Sequence, residues 1–122
     1  MLKYSEEHQW IKKCADGNYE VGITAYAANE LGELNFVELP KIGEKFASGV
    51  PLCVVESVKA ASDVFAPVGG VVVEVNKSLE TNPALLNESP ETEGWICRLK
   101  EVAPAELEAL MDQQAYTAFC KA

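Results

Sequence analysis

The sequence is poor in basic residues and in histidine, and it lacks any long apolar run. Its 122 residues hold 10 Lys and Arg against 19 Asp and Glu, which gives a formal net charge of −9. An acidic surface disfavours binding to nucleic acid or to an anionic membrane, and it favours docking to basic patches on other proteins. No stretch approaches the roughly 20 apolar residues of a membrane span. We therefore expect neither nucleic acid nor a membrane as a partner.

Metal and disulfide sites also lack support. The only histidine is His8, and no two of the four cysteines lie within the usual spacing of metal ligands. The N-terminal residues MLKYSEEHQW have neither the layout of a signal peptide nor the Arg-rich character of a transit peptide. We therefore expect no metal, and reduced, mostly buried thiols in a cytoplasmic protein or an already processed organellar one. The cysteines are Cys14, Cys53, Cys97 and Cys120.

The remaining composition suits one small globular domain over residues 1–122. Apolar residues make up 48% of the chain, which excludes general disorder. Valine-rich stretches without helical periodicity predict a mainly β fold. Strands are predicted at 10–13, 19–23, 34–39 and 95–99, and as three strands within 50–75. Helices are predicted at 25–31, capped by Thr24 and Gly32, from Pro104, and at 112–121; an irregular surface loop is predicted at 80–94.

Lys59 stands alone, because no other basic residue lies between Lys45 and Lys77. Gly49 lies ten residues before it and Gly69 ten residues after it. A single strand across this interval would far exceed the usual three to ten residues, whereas folding it at the midpoint gives two ordinary strands. Lys59 would then occupy a slim hairpin tip where its amine can form an amide. An ordinary solvated lysine is the simpler alternative, since most exposed lysines have no specific role.

Several ordered motifs closely resemble the glycine cleavage system H protein family. The segment Glu56-Ser57-Val58-Lys59-Ala60, followed by Ser62-Asp63 and by 66–70 (APVGG), is similar to the lipoylation segment of that family. The resemblance covers nearly the whole chain, with further matches at 21–24 (VGIT), 36–40 (FVELP), 73–76 (VEVN), 94–95 (GW) and 107–116. It implies a lipoyl/biotinyl-type barrel-sandwich hybrid with a short inserted helix, C-terminal helices and the modified lysine in a hairpin turn.

The resemblance implies a carrier rather than an enzyme, with lipoate attached to Lys59 as an amide. Such a carrier would receive an aminomethyl group from a pyridoxal-phosphate glycine decarboxylase, the P protein. It would deliver that group to a tetrahydrofolate-dependent aminomethyltransferase, the T protein, and be reoxidised by dihydrolipoyl dehydrogenase, the L protein. Lipoate attachment enzymes are further implied partners, and the chain is expected to be a monomer.

The resemblance also suggests roles for residues around the lysine. Glu56 and Asp63 bracket Lys59 and are candidates for recognition by attachment enzymes. Gln9, Asp63 and Glu7 are candidates for sheltering the loaded arm. The family commonly has His-Glu-Trp where this chain has His8-Gln9-Trp10. Because a charge-assisted hydrogen bond is roughly twice as strong as a neutral one, sheltering would be weaker here or depend on Asp63 and on Glu6 or Glu7. His8 is expected to be packed or hydrogen-bonded rather than catalytic.

Four alternative functions remain open at the level of the sequence. A biotin carrier is disfavoured, because Val58 and Ala60 flank the lysine where methionines are usual. A lipoyl-donor paralogue that supplies lipoate to other enzymes stays open and is slightly favoured by Gln9. A Schiff-base enzyme would need a buried lysine with acid and base neighbours, which a hairpin tip does not offer. An unmodified interaction domain is possible where attachment enzymes are absent.

Overall fold

The computed structural model describes residues 2–121, which form nine strands and five short helices. The strands are β1 (Leu2–Tyr4), β2 (Gln9–Lys13), β3 (Tyr19–Ile23), β4 (Leu34–Glu38), β5 (Lys45–Phe46), β6 (Pro51–Ser57), β7 (Ala61–Phe65), β8 (Gly70–Val75) and β9 (Cys97–Lys100). The helices are α1 (Ala25–Leu31), α2 (Ser78–Thr81), α3 (Leu85–Glu88), α4 (Pro104–Glu108) and α5 (Gln113–Lys121).

The strands form two antiparallel sheets around a shared apolar core. The larger sheet has the order β1-β2-β3-β9-β8-β5, and the smaller has the order β4-β6-β7. Inward-facing residues of both sheets, such as Val21, Val55 and Leu99, are fully buried in one cluster. The smaller sheet thus packs one face on this core and leaves the other to solvent, whereas the outer face of the larger sheet is covered in part by a second buried cluster that includes Trp10 and Tyr116. The predicted mainly β class, with an inserted helix and C-terminal helices, is confirmed.

The inserted helix begins and ends where its capping residues predict. The Ala27 amide donates a hydrogen bond of 3.2 Å to Thr24 Oγ1, and Gly32 closes the helix with a φ of 78°. This left-handed conformation at the C-terminal cap favours glycine. The helix α1 therefore has the predicted bounds, and it is held beside β2 by the bond from the Thr24 amide to the His8 carbonyl.

The prediction of an irregular surface loop at 80–94 is wrong in part, because this segment contains helical residues and a buried side chain. Leu86 on α3 is fully buried, and so is Leu79 on α2, a helix that begins two residues before the predicted loop and extends into it. The Asn87 side chain ties α3 to the end of α1: it donates to the Gly32 carbonyl at 2.8 Å and accepts from the Leu34 amide at 2.9 Å. Proline and asparagine shape the ends of these helices, while the leucines anchor them to the core. The short strands β1 and β5 were also absent from the predicted elements.

The cysteines are unpaired thiols in two environments. Cys53 and Cys97 are buried in the core, as predicted, whereas Cys14 and Cys120 are partly exposed. Burial raises the pKa of Cys97 to about 12, and it also raises the pKa of Cys53 well above its usual range. The two core thiols therefore stay protonated and act as small apolar side chains. Within residues 2–121, no helix combines the length and the apolarity that a membrane span requires.

Candidate functional site

Lys59 lies at the tip of the β6–β7 hairpin, as the glycine spacing predicted. The strands pair from Pro51↔Phe65 to Glu56↔Ala61, and the Ser57 amide donates to the Ala60 carbonyl at 3.0 Å to close the turn. The Lys59 amide donates to Ser57 Oγ at 3.3 Å, which fixes the backbone of the tip. Val58 beside it is 86% exposed. The turn thus presents the lysine on a narrow, hydrogen-bonded projection.

The Lys59 side chain is accessible to other proteins. It is exposed, and the ion pairs found among residues 2–121 do not involve it. A Schiff-base lysine relies on burial and on acid or base neighbours. The exposed tip provides no such burial. What this position can do chemically is offer a primary amine to an acylating enzyme.

The solvent face of the smaller sheet surrounds the base of this projection with carboxylates. Cross-strand pairing places Phe36, Glu56 and Ala61 in one outward row, and Glu38, Val54 and Asp63 in the next. We call Phe36, Glu38, Glu56 and Asp63 the acidic sheet face. Phe36 is 49% exposed, which is unusual for a large apolar side chain within a sheet. Sequence reasoning identified Glu56 and Asp63 but missed Phe36 and Glu38, although the two-residue alternation of β4 could have revealed them.

A cleft runs beside the free edge of β7 and brings together the residues proposed for sheltering. It encloses about 170 Å³. We call it the β7 cleft. Its walls come from the turn before β2 and the first residue of β2, from the end of β3, from α1 and from β7 itself: Glu7, His8, Gln9, Ile23, Ala27, Glu30, Leu31, Ser62, Asp63 and Val64. Glu7, Gln9 and Asp63 therefore share this cleft, and Asp63, on the edge strand, belongs to the acidic sheet face as well; Glu56 lies on that face alone. Glu30 is a third carboxylate of the cleft that sequence reasoning missed.

Gln9 is buried, and both ends of its side-chain amide have partners. Ser5 Oγ donates to Gln9 Oε1 at 2.5 Å, and Gln9 Nε2 donates to the Glu7 carbonyl at 2.8 Å. The Gln9 backbone amide also donates to Ser5 Oγ at 3.1 Å. Gln9 is only 3% exposed, so these contacts replace hydration. The amide therefore stabilises the turn between β1 and β2 and forms an uncharged part of the cleft wall.

His8 connects this wall to two helices. Its φ of 69° lies in the left-handed region, which is uncommon for residues other than glycine. The imidazole stacks on Tyr26 of α1 with ring centroids 4.4 Å apart, and its Nδ1 lies 2.7 Å from the Tyr116 hydroxyl of α5. Burial raises the pKa of Tyr116, so that hydroxyl keeps its proton and can donate. His8 is packed and hydrogen-bonded, as expected.

Comparisons with known proteins agree on one family. The family model described as glycine cleavage H-protein matches residues 2–122. Proteins named glycine cleavage system H protein from Enterobacter sp. (strain 638) and from Escherichia coli O7:K1 (strain IAI39 / ExPEC) are each 50% identical over 117 residues, which is 96% of this chain and 91% of theirs. A crystal structure of a glycine cleavage system H protein from Mycobacterium marinum superposes with a TM-score of 0.87 at 34% identity, over 99% of this chain and 97% of that chain.

Proposed function

Since the chain belongs to the glycine cleavage H-protein family, whose members are lipoyl carriers, we propose that it carries lipoate as an amide on Lys59. In this role it moves an aminomethyl group from glycine decarboxylase to the tetrahydrofolate-dependent aminomethyltransferase and is then reoxidised by dihydrolipoyl dehydrogenase. The observation that carries the proposal is the placement of Lys59 at an exposed hairpin tip beside a cleft. The protein itself is a shuttle without catalytic residues.

The dimensions of the hairpin fit such an arm. The lipoyl-lysine arm has roughly 12 bonds from the lysine Cα to the nearer dithiolane sulfur. Four residues of extended backbone contain about as many bonds and span at most about 14 Å, so the arm has a similar reach. Asp63 is the fourth residue after Lys59, and it lines the β7 cleft. An arm attached at the tip is therefore long enough to reach the part of the cleft that holds the carboxylates. Lipoate supplies a dithiolane that opens and closes by redox chemistry, and the protein supplies attachment, reach and shelter.

The carboxylates of the β7 cleft are suited to hold the cargo. Glu7, Glu30 and Asp63 line the cleft, and each can accept a charge-assisted hydrogen bond from an ammonium group. Gln9 Oε1 is less available, because it already accepts a hydrogen bond from Ser5 Oγ. We therefore assign the charged contacts to the carboxylates, and to Gln9 the role of an uncharged wall residue. Glu30 thus joins Gln9, Asp63 and Glu7 as a proposed arm-sheltering residue.

Attachment enzymes would approach the acidic sheet face, which shares Asp63 with the β7 cleft. Glu56 and Asp63 lie on the solvent face of the sheet that carries Lys59. A basic surface around an acylating active site would complement these carboxylates and leave the tip free to enter. The bacterial relatives lead us to place the protein in the cytoplasm, or in the mitochondrial matrix if it is a processed organellar form, and we propose that it acts as a monomer.

Intact-mass measurement after incubation with lipoate, ATP and a lipoate attachment enzyme tests the attachment site. We expect the wild-type chain to gain the mass of one lipoyl group. Lys59→Arg keeps a cation at the tip but removes the acylatable amine, and it should abolish the gain. Lys45→Arg, on a strand of the other sheet, is the matched control and should retain it. An unshifted wild-type mass, or a shift that survives Lys59→Arg, would contradict the proposal.

A lipoyl-donor paralogue is the second candidate, and Gln9 is the observation that favours it. A carrier that only hands lipoate to other enzymes needs no charged shelter for an amine, so an uncharged residue at this position is acceptable. Glycine–bicarbonate exchange with purified glycine decarboxylase separates the two roles. Exchange supported by the lipoylated chain and lost in Lys59→Arg indicates the glycine cleavage role. Lipoylation without any exchange indicates the donor role.

A further inference from the structure

The hydroxyl of Tyr116 forms hydrogen bonds with both walls of the β7 cleft, although Tyr116 does not line it. Its oxygen lies 2.7 Å from His8 Nδ1 and 2.7 Å from Thr24 Oγ1. A tyrosine hydroxyl donates one hydrogen bond and accepts others, so it can serve both partners at once. Tyr116 lies on the C-terminal helix α5 and is only 7% exposed. One buried group thus joins three segments of the chain.

The first wall, Glu7 to Gln9, depends on how His8 is held. A left-handed backbone at a residue other than glycine persists only where its surroundings determine it. Three hydrogen bonds do so here: the His8 amide donates to the Ser5 carbonyl at 3.1 Å, the Thr24 amide donates to the His8 carbonyl at 3.0 Å, and the imidazole is bonded to Tyr116. Because Glu7 and Gln9 are its immediate neighbours, the position of His8 sets where both cleft residues lie.

The second wall is the helix α1, whose first turn depends on Thr24. Thr24 Oγ1 accepts from the Ala27 amide at 3.2 Å and is bonded to Tyr116 through the same oxygen. Thr24 is fully buried, so the Tyr116 hydroxyl takes the place of water at this cap. Ala27, Glu30 and Leu31, which lie further along α1, line the cleft. The orientation of the cap therefore affects the position of this wall.

We propose that Tyr116 is a positioning residue that fixes the separation of the two walls of the β7 cleft, and that the C-terminal helix thereby controls how well the loaded arm is sheltered. The effect on shelter of the arm rests on the proposed function, whereas the positioning of the two walls rests on the hydrogen bonds alone. A core-packing role for the ring is separate: Tyr116 stacks on Tyr4 with centroids 4.4 Å apart and ring planes 8° apart. Packing uses the ring, whereas the joining of the walls uses only the hydroxyl.

Tyr116→Phe separates these roles, because it keeps the ring and removes the hydroxyl. Native-state hydrogen exchange on the unmodified chain is the primary measurement, and it needs no lipoate. We expect the Thr24 and Ala27 amides to exchange about two- to tenfold faster, the range that corresponds to losing one hydrogen bond. The amides of the β6–β7 ladder should be unchanged. Tyr4→Phe is the matched control: it removes a hydroxyl from the ring stacked on Tyr116 and should leave the Thr24 and Ala27 amides as they are.

The second measurement uses chain that has been lipoylated and loaded with the aminomethyl group by glycine decarboxylase. Release of ammonia and formaldehyde should accelerate by a similar factor in Tyr116→Phe and stay at the wild-type rate in Tyr4→Phe. His8→Gly tolerates the φ of 69° and removes the imidazole. In that background Tyr116→Phe should increase exchange by a smaller factor, because one of its two hydrogen bonds is already absent.

Three results would overturn the inference. Unchanged exchange at Thr24 and Ala27 in Tyr116→Phe would show that the hydroxyl does not hold the walls. An equal increase across both sheets would show a general loss of stability rather than positioning. Faster exchange with unchanged release would show that the walls do not control shelter. If the chain takes up no lipoate at all, the proposed function fails, while the exchange experiment still decides the positioning role.

Discussion

Gln9 illustrates how its neighbours decide the role of a buried side chain. An amide and a carboxylate have the same shape, but only the amide can donate a hydrogen bond to the Glu7 carbonyl while accepting one from Ser5. A carboxylate in the same pose would set its negative charge against that carbonyl oxygen. Glutamine therefore suits the observed turn, and glutamate at this position would have to turn toward the cleft.

Gln9→Glu should consequently make the chain less stable and the arm better sheltered. Loss of the part-buried bond to the Glu7 carbonyl should lower the free energy of unfolding by about 0.5–1.5 kcal/mol, measured by urea denaturation at pH 7. The carboxylate facing the cleft should slow release of ammonia and formaldehyde from the loaded chain. Gln114→Glu makes the same exchange at an exposed position of α5 and should change neither quantity. An unchanged release rate in Gln9→Glu would refute a charge-dependent shelter.

Residue patterns predicted the position of Lys59 but not the surroundings of Gln9. Turn spacing is a local property, and two glycines equidistant from Lys59 suffice to predict a hairpin tip. The burial of Gln9 depends on contacts with Ser5 and Glu7 within the turn between β1 and β2, and β1 has no alternation in sequence that would reveal it. Glu30 was missed for a similar reason, since only the tertiary arrangement that sets α1 across the cleft from β7 places it there.

At the scale of elements, α2 and α3 show how turn-forming composition conceals buried anchors. Pro83 and Pro90 flank short helices of four residues each, whose composition is typical of loops. Yet Leu79 and Leu86 are fully buried in the main core. Helices this short gain little from their own hydrogen bonds, so their stability depends on tertiary packing. The two leucines were the available signal, because large apolar residues in a turn-rich segment need a place to be buried.

Leu79→Ala should therefore destabilise the chain as a core substitution does. Removing this side chain leaves a cavity and should cost about 2–5 kcal/mol in the free energy of unfolding. Ile42→Ala is the control, since Ile42 is 63% exposed and such surface changes usually stay within about 0.5 kcal/mol. Guanidinium denaturation of the two variants beside wild type measures both values. Equal midpoints for Leu79→Ala and Ile42→Ala would mean that the segment does not contribute to the core.

At the scale of the whole molecule, the charge can be predicted directly from the sequence, whereas the arrangement of the sheets cannot be predicted from local patterns. Strand β3 pairs with β9 more than seventy residues later, from Tyr19↔Leu99 to Val21↔Cys97, and no local pattern specifies such a partner. Resemblance to a known family supplied the two-sheet architecture, whereas alternation and turn signals supplied most strands. Charge, by contrast, is readable directly. The net charge of −9 predicts attraction to basic partners, and the structure concentrates three of the carboxylates around Lys59 on the acidic sheet face.

This local concentration of carboxylates predicts that the attachment of lipoate depends on ionic strength, and that the dependence comes from the acidic sheet face. As salt rises from 0.01 to 0.15 M the screening length falls from about 30 to about 8 Å, so the KM of a basic attachment enzyme for the unmodified chain should rise. The triple variant Glu38→Gln, Glu56→Gln, Asp63→Asn should have a higher KM at low salt and a weaker salt dependence, with kcat unchanged because Lys59 is intact. Glu80→Gln, Glu101→Gln and Glu108→Gln together change the net charge equally at exposed positions off this face. If both triple variants shift KM alike, recognition depends on overall charge; if only the first does, the acidic sheet face is the docking surface.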